Sequence, residues 1–216
     1  MNISAQEITR LRTQTGAGML DCKKALEESG GDYEAAVKYL REKGMARAAK
    51  RANKVAAEGA VVSYIHGEGK IGVLVEVNSE TDFVAKNDIF KKLAADLAMH
   101  IAAAAPKYLS PEAVPAAEIE SEKSVERAAL EAQGKPADII EKIIAGKIDK
   151  YYSEVCLLKQ PFIKDEDKTI EQLLAEKTAA IGEKISVRRF TRYELGEGIE
   201  VKKKNLAQEV EEQLAD

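Results

Sequence analysis

The stretch Glu80-Thr81-Asp82-Phe83-Val84-Ala85-Lys86-Asn87-Asp88 separates two hydrophobic periodicities. Before it, apolar residues alternate with other residues over positions 71–77, a period that predicts a half-buried strand. After it, apolar residues recur at helical spacing from position 89 to position 101. The joint predicts a sheet that passes directly into a helix packed against it. The apolar positions are Ile71, Val73, Val75 and Val77 in the strand, and Ile89, Phe90, Leu93, Leu97 and Ile101 in the helix.

Phe83 lies at this joint beside Asp82, and the local pattern leaves two interpretations open. In the first, Phe83 belongs to the core and pins the helix to the sheet, while Asp82 complements the positive helix N-terminus. In the second, Phe83 is an exposed apolar anchor that enters a pocket of a partner, with a charge beside it.

Composition limits the class of protein. The chain has 216 residues, enough for one sizeable domain and a small one, and 45% of them are hydrophobic and 32% charged. Its net charge of −4 gives no general attraction to nucleic acid or to an anionic membrane. No apolar run approaches the roughly 20 residues of a membrane span. We expect a cytoplasmic protein with two reduced thiols, Cys22 and Cys156, because their spacing fits no metal or redox site.

Residues 1–54 predict a small module of three helices followed by a basic linker helix. Ser4 and Glu7 form a capping box for the first helix, the run 15–18 with two glycines ends it, and Asp32 can cap the third. The arrangement resembles the ubiquitin-associated (UBA) fold. From residue 41 to residue 54 the chain carries six cations and one acid, which indicates a nucleic-acid arm or a solvated linker helix.

Residues 55–198 predict an α+β core, a small antiparallel three-stranded sheet packed by helices. We expect its strands near residues 61–65, 71–77 and 185–193, with a helix from about residue 87 to Pro106. Gly134 and Pro136 mark the turn of a helical hairpin over about residues 112–158. Residues 199–216 predict a separate C-terminal tail helix.

The residues assemble no recognisable chemical site. His66 and His100 are the only histidines, and neither has a second metal ligand at helical spacing. Motifs of nucleophilic or phosphate-binding loops are absent from the sequence, and no nucleophile, base and orienting group can be matched. We therefore expect no enzyme, no catalytic residues, no metal and no cofactor.

Several motifs together closely resemble bacterial elongation factor Ts across essentially the whole chain. Two are highly specific in this order and at this distance: the run 11–26, LRTQTGAGMLDCKKAL, and the run 81–86, TDFVAK. Further matches are the runs 63–67, 160–162, 181–185 and 194–200. This resemblance implies a guanine-nucleotide exchange factor for elongation factor Tu in translation elongation, and it favours the exposed interpretation of Phe83.

The family resemblance also implies roles for individual positions. The pair matching Asp82 and Phe83 inserts into the nucleotide domain of the GTPase, displaces structure around its Mg²⁺ and loosens GDP. The Mg²⁺-dislocating segment is Thr81, Asp82, Phe83 and Val84. Positions matching Met19, Leu20 and Lys23 brace the same domain, and positions matching His66, Ile181 and Gly182 contact a second one. Leu20 replaces a methionine common in the family, a volume-conserving apolar change.

This sequence carries one copy of a core unit that longer members carry twice. One sheet face and edge are then left uncovered, so we expect a homodimer and a 2:2 complex with the GTPase. Two other classes stay open on the residues alone: a UBA-type protein-binding module, and an RNA-binding accessory protein. We expect neither direct nucleic-acid binding nor a membrane.

Overall fold

The structure is a computed structural model that describes residues 3–199. Its first part is the predicted group of three helices. Ser4 and Glu7 form both bonds of the capping box, and the Asp32 side chain accepts a hydrogen bond from the Ala35 amide. The three helices enclose a small core of Leu11, Cys22, Ala25, Leu26, Ala36 and Leu40. Their bounds are α1, Ala5–Thr15; α2, Met19–Glu28; and α3, Tyr33–Arg51.

The third helix is longer than the sequence predicted. The basic segment is no separate linker helix but the second half of α3, which continues without a break to Arg51. The residues added are mostly Ala, Lys and Arg, which propagate a helix well. Gly44 is the one glycine in α3, and a Cβ there would lie 3.3 Å from the Cβ of Ala179, so this position lets α3 pack closely on a later helix.

A three-stranded antiparallel sheet forms the centre of the second part, as predicted, with strand order β1-β2-β5. Val75 pairs with Val62 on one side and with Phe190 on the other. The inner face buries Val73, Val75, Val77 and Val187, whereas the outer face exposes Val61, Ile65, Leu74 and Tyr193. Strands β1 and β2 extend past the predicted limits, and β5 is displaced from them by one residue: β1 is Glu58–His66, β2 is Ile71–Ser79 and β5 is Ser186–Glu194.

Helices cover the inner face. The helix predicted to end near Pro106 is α5, and it buries Phe90, Leu97 and Ile101 against the sheet. Thr169 and Gln172 form the capping box that starts α8. Two further elements were not predicted from the sequence, a short helix, α4, and a small β-hairpin of strands β3 and β4. The bounds are α4, Asp82–Ala85; α5, Asp88–Ala104; β3, Pro161–Phe162; β4, Asp165–Thr169; and α8, Ile170–Ile181.

The predicted helical hairpin consists of α6, Ala116–Ala132, and α7, Ala137–Val155. It has its own core of Leu130, Ile140, Ile144 and Ile148. At its base the Glu118 carboxylate accepts hydrogen bonds from the hydroxyl groups of Tyr108 and Tyr151. The tail helix predicted for residues 199–216 lies outside the described residues, except for Ile199.

Both cysteines are free thiols that lie fully buried. Burial raises the pKa of Cys22 and of Cys156, so each thiol stays protonated and unreactive at neutral pH. Neither thiol is presented on the surface of the chain. Among residues 3–199, no helix combines the length and the apolar character needed to cross a membrane.

Candidate interaction site

Phe83 is exposed at the strand-to-helix joint. It is the second residue of α4, and 84% of its surface is accessible to solvent. The interpretation of Phe83 as a core residue is therefore wrong. Val84, the next residue, is half-buried and packs against the main core together with Ala85. One side of this helical turn thus packs against the core through Val84 and Ala85, and the other side exposes the ring of Phe83 to solvent.

Asp82 begins this turn and is also exposed. Its carboxylate lies 2.7 Å from the Lys86 ammonium nitrogen. A hydrogen bond from Lys86 and its positive charge lower the pKa of Asp82, so the carboxylate is ionised at neutral pH. The exposed surface of α4 therefore combines a negative charge with an apolar ring.

Thr81 ties the start of α4 to a distant segment. Its backbone amide donates to one carboxylate oxygen of Glu183 at 3.0 Å, and its hydroxyl donates to the other at 2.8 Å. The carboxylate of Glu80 in turn accepts from the backbone amide of Lys184 at 2.6 Å and from the Arg51 guanidinium at 2.8 Å. The pKa of Glu80 is lowered, mainly by the hydrogen bond from the Lys184 amide and secondly by the hydrogen bond from Arg51. Two glutamate side chains thus cross between the segments 80–81 and 183–184.

Ile181 and Gly182 lie directly before Glu183, so the structure brings them to the same region as Thr81. Ile181 is the last residue of α8 and packs on the edge of the main core. Gly182 ends the helix with φ at +86°, a left-handed conformation that glycine adopts without strain, and its amide donates to the Thr178 carbonyl.

Met19, Leu20 and Lys23 share the exposed side of α2. Leu20 is 84% exposed, Met19 is partly exposed, and Lys23 lies 3.7 Å from Glu27. On the other side of α2, Asp21 accepts two hydrogen bonds from Arg47 of α3, at 2.9 and 2.8 Å. These bonds lower the pKa of Asp21 and fix α2 on α3.

His66, another predicted site residue, lies apart from Thr81. It ends β1 and pairs with Ile71, the first residue of β2, whereas Thr81 follows the last residue of β2. The intervening strand is about 25 Å long at 3.3 Å per residue. The His66 ring stacks on Tyr64, whose hydroxyl lies 3.0 Å from its Nδ1 atom.

Sequence reasoning missed Glu80, Glu183 and Arg51 as parts of this site. Glu183 is 102 residues from Thr81, and no local periodicity reports a contact of that separation. Within the described range, residues 3–199, no three His, Cys, Asp or Glu side chains group as a metal site would require. The arrangement is an exposed surface supported by partly buried side chains, suited to binding another macromolecule.

Comparisons with known proteins agree with the motifs. The family described as Elongation factor TS matches residues 5–197. Elongation factor Ts of Desulforamulus reducens is 58% identical over 212 residues, covering 98% of both chains. Elongation factor Ts of Acetivibrio thermocellus is 55% identical over 212 residues, covering 98% of this chain and 99% of its own. That of Geobacter sulfurreducens is 58% identical over 210 residues, with 97% of each chain covered.

Proposed function

This chain belongs to the elongation factor Ts family, and we propose that it is the guanine-nucleotide exchange factor for elongation factor Tu, acting through Asp82 and Phe83. The observation that supports this role most strongly is the exposure of Phe83 on a turn whose other side packs into the core. An exposed aromatic residue on a firmly held turn is suited to enter a pocket of a partner. The protein accelerates the release of a bound nucleotide and changes no covalent bond.

The proposed mechanism depends on the demands of the metal ion that holds GDP in the partner. Mg²⁺ requires near-ideal octahedral geometry, so a small shift of its ligands weakens its contact with the phosphates. Insertion of Thr81, Asp82, Phe83 and Val84 next to that site displaces those ligands. Burying the Phe83 ring in the partner contributes roughly 1.5–3 kcal/mol toward this displacement.

The other predicted contact residues fit a footprint over two domains of the partner. Met19, Leu20 and Lys23 form an exposed surface that braces the nucleotide domain. His66, Ile181 and Gly182 contact a second domain. The distance between His66 and the end of β2 supports an extended contact rather than a single pocket. In this proposal residues 1–54 and residues 55–198 act as two units on one partner.

We extend the proposal to a homodimer formed through the outer face of the sheet. Val61, Ile65, Leu74 and Tyr193 expose an apolar surface on three adjacent strands. Single exposed apolar residues are ordinary, but four of them on one sheet face, next to polar neighbours such as Glu76, form a candidate interaction surface. A second copy is the occupant we propose, because one sheet face can cover its own equivalent by two-fold symmetry. Each protomer then binds one elongation factor Tu in the cytoplasm.

Neither alternative class is favoured. A UBA-type module acting alone would leave the rest of the family match, up to residue 197, without a role. An RNA-binding arm requires free cations on residues 41–54, yet three of the six form ion pairs within the protein: Lys43 and Arg47 with Asp21, and Arg51 with Glu80.

A pull-down from bacterial lysate with and without added GDP tests the proposed function. We expect one GTPase partner, and GDP must release it, because a factor that weakens GDP binding is itself weakened by GDP to the same degree. Nuclease treatment of the lysate is the control and should leave the bound material unchanged. Bound RNA, or a GTPase that is retained in the same amount with and without added GDP, would contradict the proposal.

A further inference from the structure

Two glutamates clasp the loop that carries Asp82 and Phe83 to the loop that follows α8. Glu183 accepts both hydrogen bonds of Thr81, and Glu80 accepts the backbone amide of Lys184. Each loop thus supplies one carboxylate to the backbone of the other. We call these contacts of Glu80, Thr81, Glu183 and Lys184 the clasp.

The clasp stabilises α4, a helix that is too short to be stable on its own. The α4 helix has four residues, far fewer than an isolated helix needs in water. Thr81 is its N-cap, but the Thr81 side chain makes no capping bond to α4, and its hydroxyl donates to Glu183. The direction in which Asp82 and Phe83 project therefore depends on where Glu183 holds Thr81, in addition to the packing of Val84 and Ala85 on the core.

A third segment joins the clasp from the N-terminal helices. Arg51, the last residue of α3, donates to Glu80, and the ammonium group of Lys184 donates to the carbonyls of Ala52 and Lys54 at 2.6 and 3.0 Å. The end of α3 is thereby bonded to the same two loops. The clasp links the helix that supports α2 with the loop that carries Phe83.

We propose that Glu80 and Glu183 are positioning residues for nucleotide exchange. They fix the α4 turn in the free protein, so that Phe83 and Ile181 meet the partner in one preset geometry. Ordering a loop before binding removes that cost from the binding step. The inference rests on the proposed exchange function, and it assigns to two carboxylates a role that requires no contact with the partner.

Two variants of Glu183 remove different numbers of hydrogen bonds from Thr81. Glu183→Ala removes both acceptors from Thr81, whereas Glu183→Gln keeps one carbonyl oxygen and thus one hydrogen bond. Glu80→Ala tests the other half of the clasp. The matched control is Glu171→Gln. Glu171 lies on α8, the helix that leads to Glu183, and its carboxylate is 2.7 Å from the Lys159 ammonium nitrogen in an exposed ion pair that the substitution breaks.

Amide hydrogen exchange of the free, full-length protein gives the first readout. We expect the Thr81 amide to exchange about tenfold faster or more in Glu183→Ala, because its hydrogen bond to Glu183 is lost. Glu183→Gln should give a smaller increase and Glu171→Gln none. Unchanged exchange at residues 80–86 in both Glu183 variants would overturn the inference.

Release of labelled GDP from elongation factor Tu gives the second readout. Glu183→Ala should lower the maximum rate, and the loss should shrink in a Phe83→Ala background, since both residues act through one insertion. An equal loss with and without Phe83, or a full maximum rate despite a loosened loop, would overturn the positioning role. If the wild-type protein itself fails to accelerate release, the proposed function is wrong, and the amide readout alone then decides whether the clasp orders the loop.

Discussion

In the free protein the Lys86 ammonium nitrogen lies 2.7 Å from a carboxylate oxygen of Asp82, one helical turn earlier in the chain. Both side chains are largely exposed, so water competes with the ion pair and it contributes little to stability. The carboxylate that we propose to insert into the partner is therefore oriented by Lys86 but is not locked by it.

Replacing Lys86 tests whether its ion pair with Asp82 matters for nucleotide exchange. We expect Lys86→Ala to change the maximum rate of GDP release by less than about threefold, because exposed ion pairs contribute little. Asp82→Ala should lower the rate much more. Lys91→Ala, an exposed lysine on α5, is the control. Stopped-flow release of labelled GDP measures all three, and loss of exchange in Lys86→Ala alone would show that Lys86 itself contacts the partner.

Periodicity and capping predicted the elements of this fold that are regular. The alternation of residues 71–77 predicted β2, and the capping box at Ser4 predicted the start of α1. The β3–β4 hairpin was missed because residues 165–168 are all charged and show no apolar alternation. The length of α3 was misjudged because a change in charge was taken for a change in structure.

The local pattern could not decide the orientation of Phe83. A residue between a strand and a helix belongs to neither periodicity, so the pattern assigns it no face. The hydrogen bonds that hold the two residues before Asp82 join Thr81 to Glu183 and Glu80 to Lys184, 102 and 104 residues apart. Only the family resemblance pointed to the exposure of Phe83, through motifs that carry information beyond periodicity.

The outer face of the sheet predicts a dimer that a single charge disrupts. Leu74 is half exposed at the centre of that face, on the middle strand. A buried and unpaired carboxylate is strongly unfavourable, so we expect Leu74→Glu to sediment as a monomer while the wild type sediments as a dimer. Val125→Glu, at an exposed apolar site on α6, is the control and should leave the dimer intact. A dimeric Leu74→Glu protein would place the interface elsewhere.

His100 predicts a loss of stability in mild acid. It is fully buried, and its Nε2 atom lies 3.0 Å from the Gln160 side-chain oxygen. The Gln160 amide nitrogen donates to two backbone carbonyls, so its oxygen is the acceptor and Nε2 of His100 carries the proton. The Nδ1 atom faces the Ile163 amide at 3.4 Å and has no room for a second proton. Burial lowers the pKa of His100.

Because this pKa is lowered on folding, the unfolded chain binds the proton more tightly. The stabilisation is fully present above the ordinary histidine pKa of about 6.5, and it is lost as the pH falls through the lower folded value. We expect His100→Gln to make the unfolding free energy less dependent on pH below about 6.5, by up to roughly 1.4 kcal/mol per pH unit. Urea unfolding between pH 5 and pH 7 measures this, with His66→Gln as the matched control. An unchanged slope in His100→Gln would mean that His100 does not titrate on unfolding.

Phe83 and Phe90 form a matched pair, seven residues apart, for the central claim. Phe90 is fully buried in α5, so Phe90→Ala should cost about 3–5 kcal/mol of unfolding free energy. Phe83→Ala should cost less than about 0.5 kcal/mol, because an exposed side chain loses few contacts. The double variant Asp82→Ala with Phe83→Ala should lose less exchange than the sum of the single losses, since both residues enter in one step.

The most direct measurement is the rate of labelled-GDP release from elongation factor Tu at saturating Phe83→Ala protein, alongside its thermal unfolding. We predict a protein that melts within a few degrees of the wild type and has lost most of its exchange activity. A Phe83→Ala protein that melts much earlier, yet releases GDP at the wild-type rate while it is folded, would contradict the insertion of Phe83.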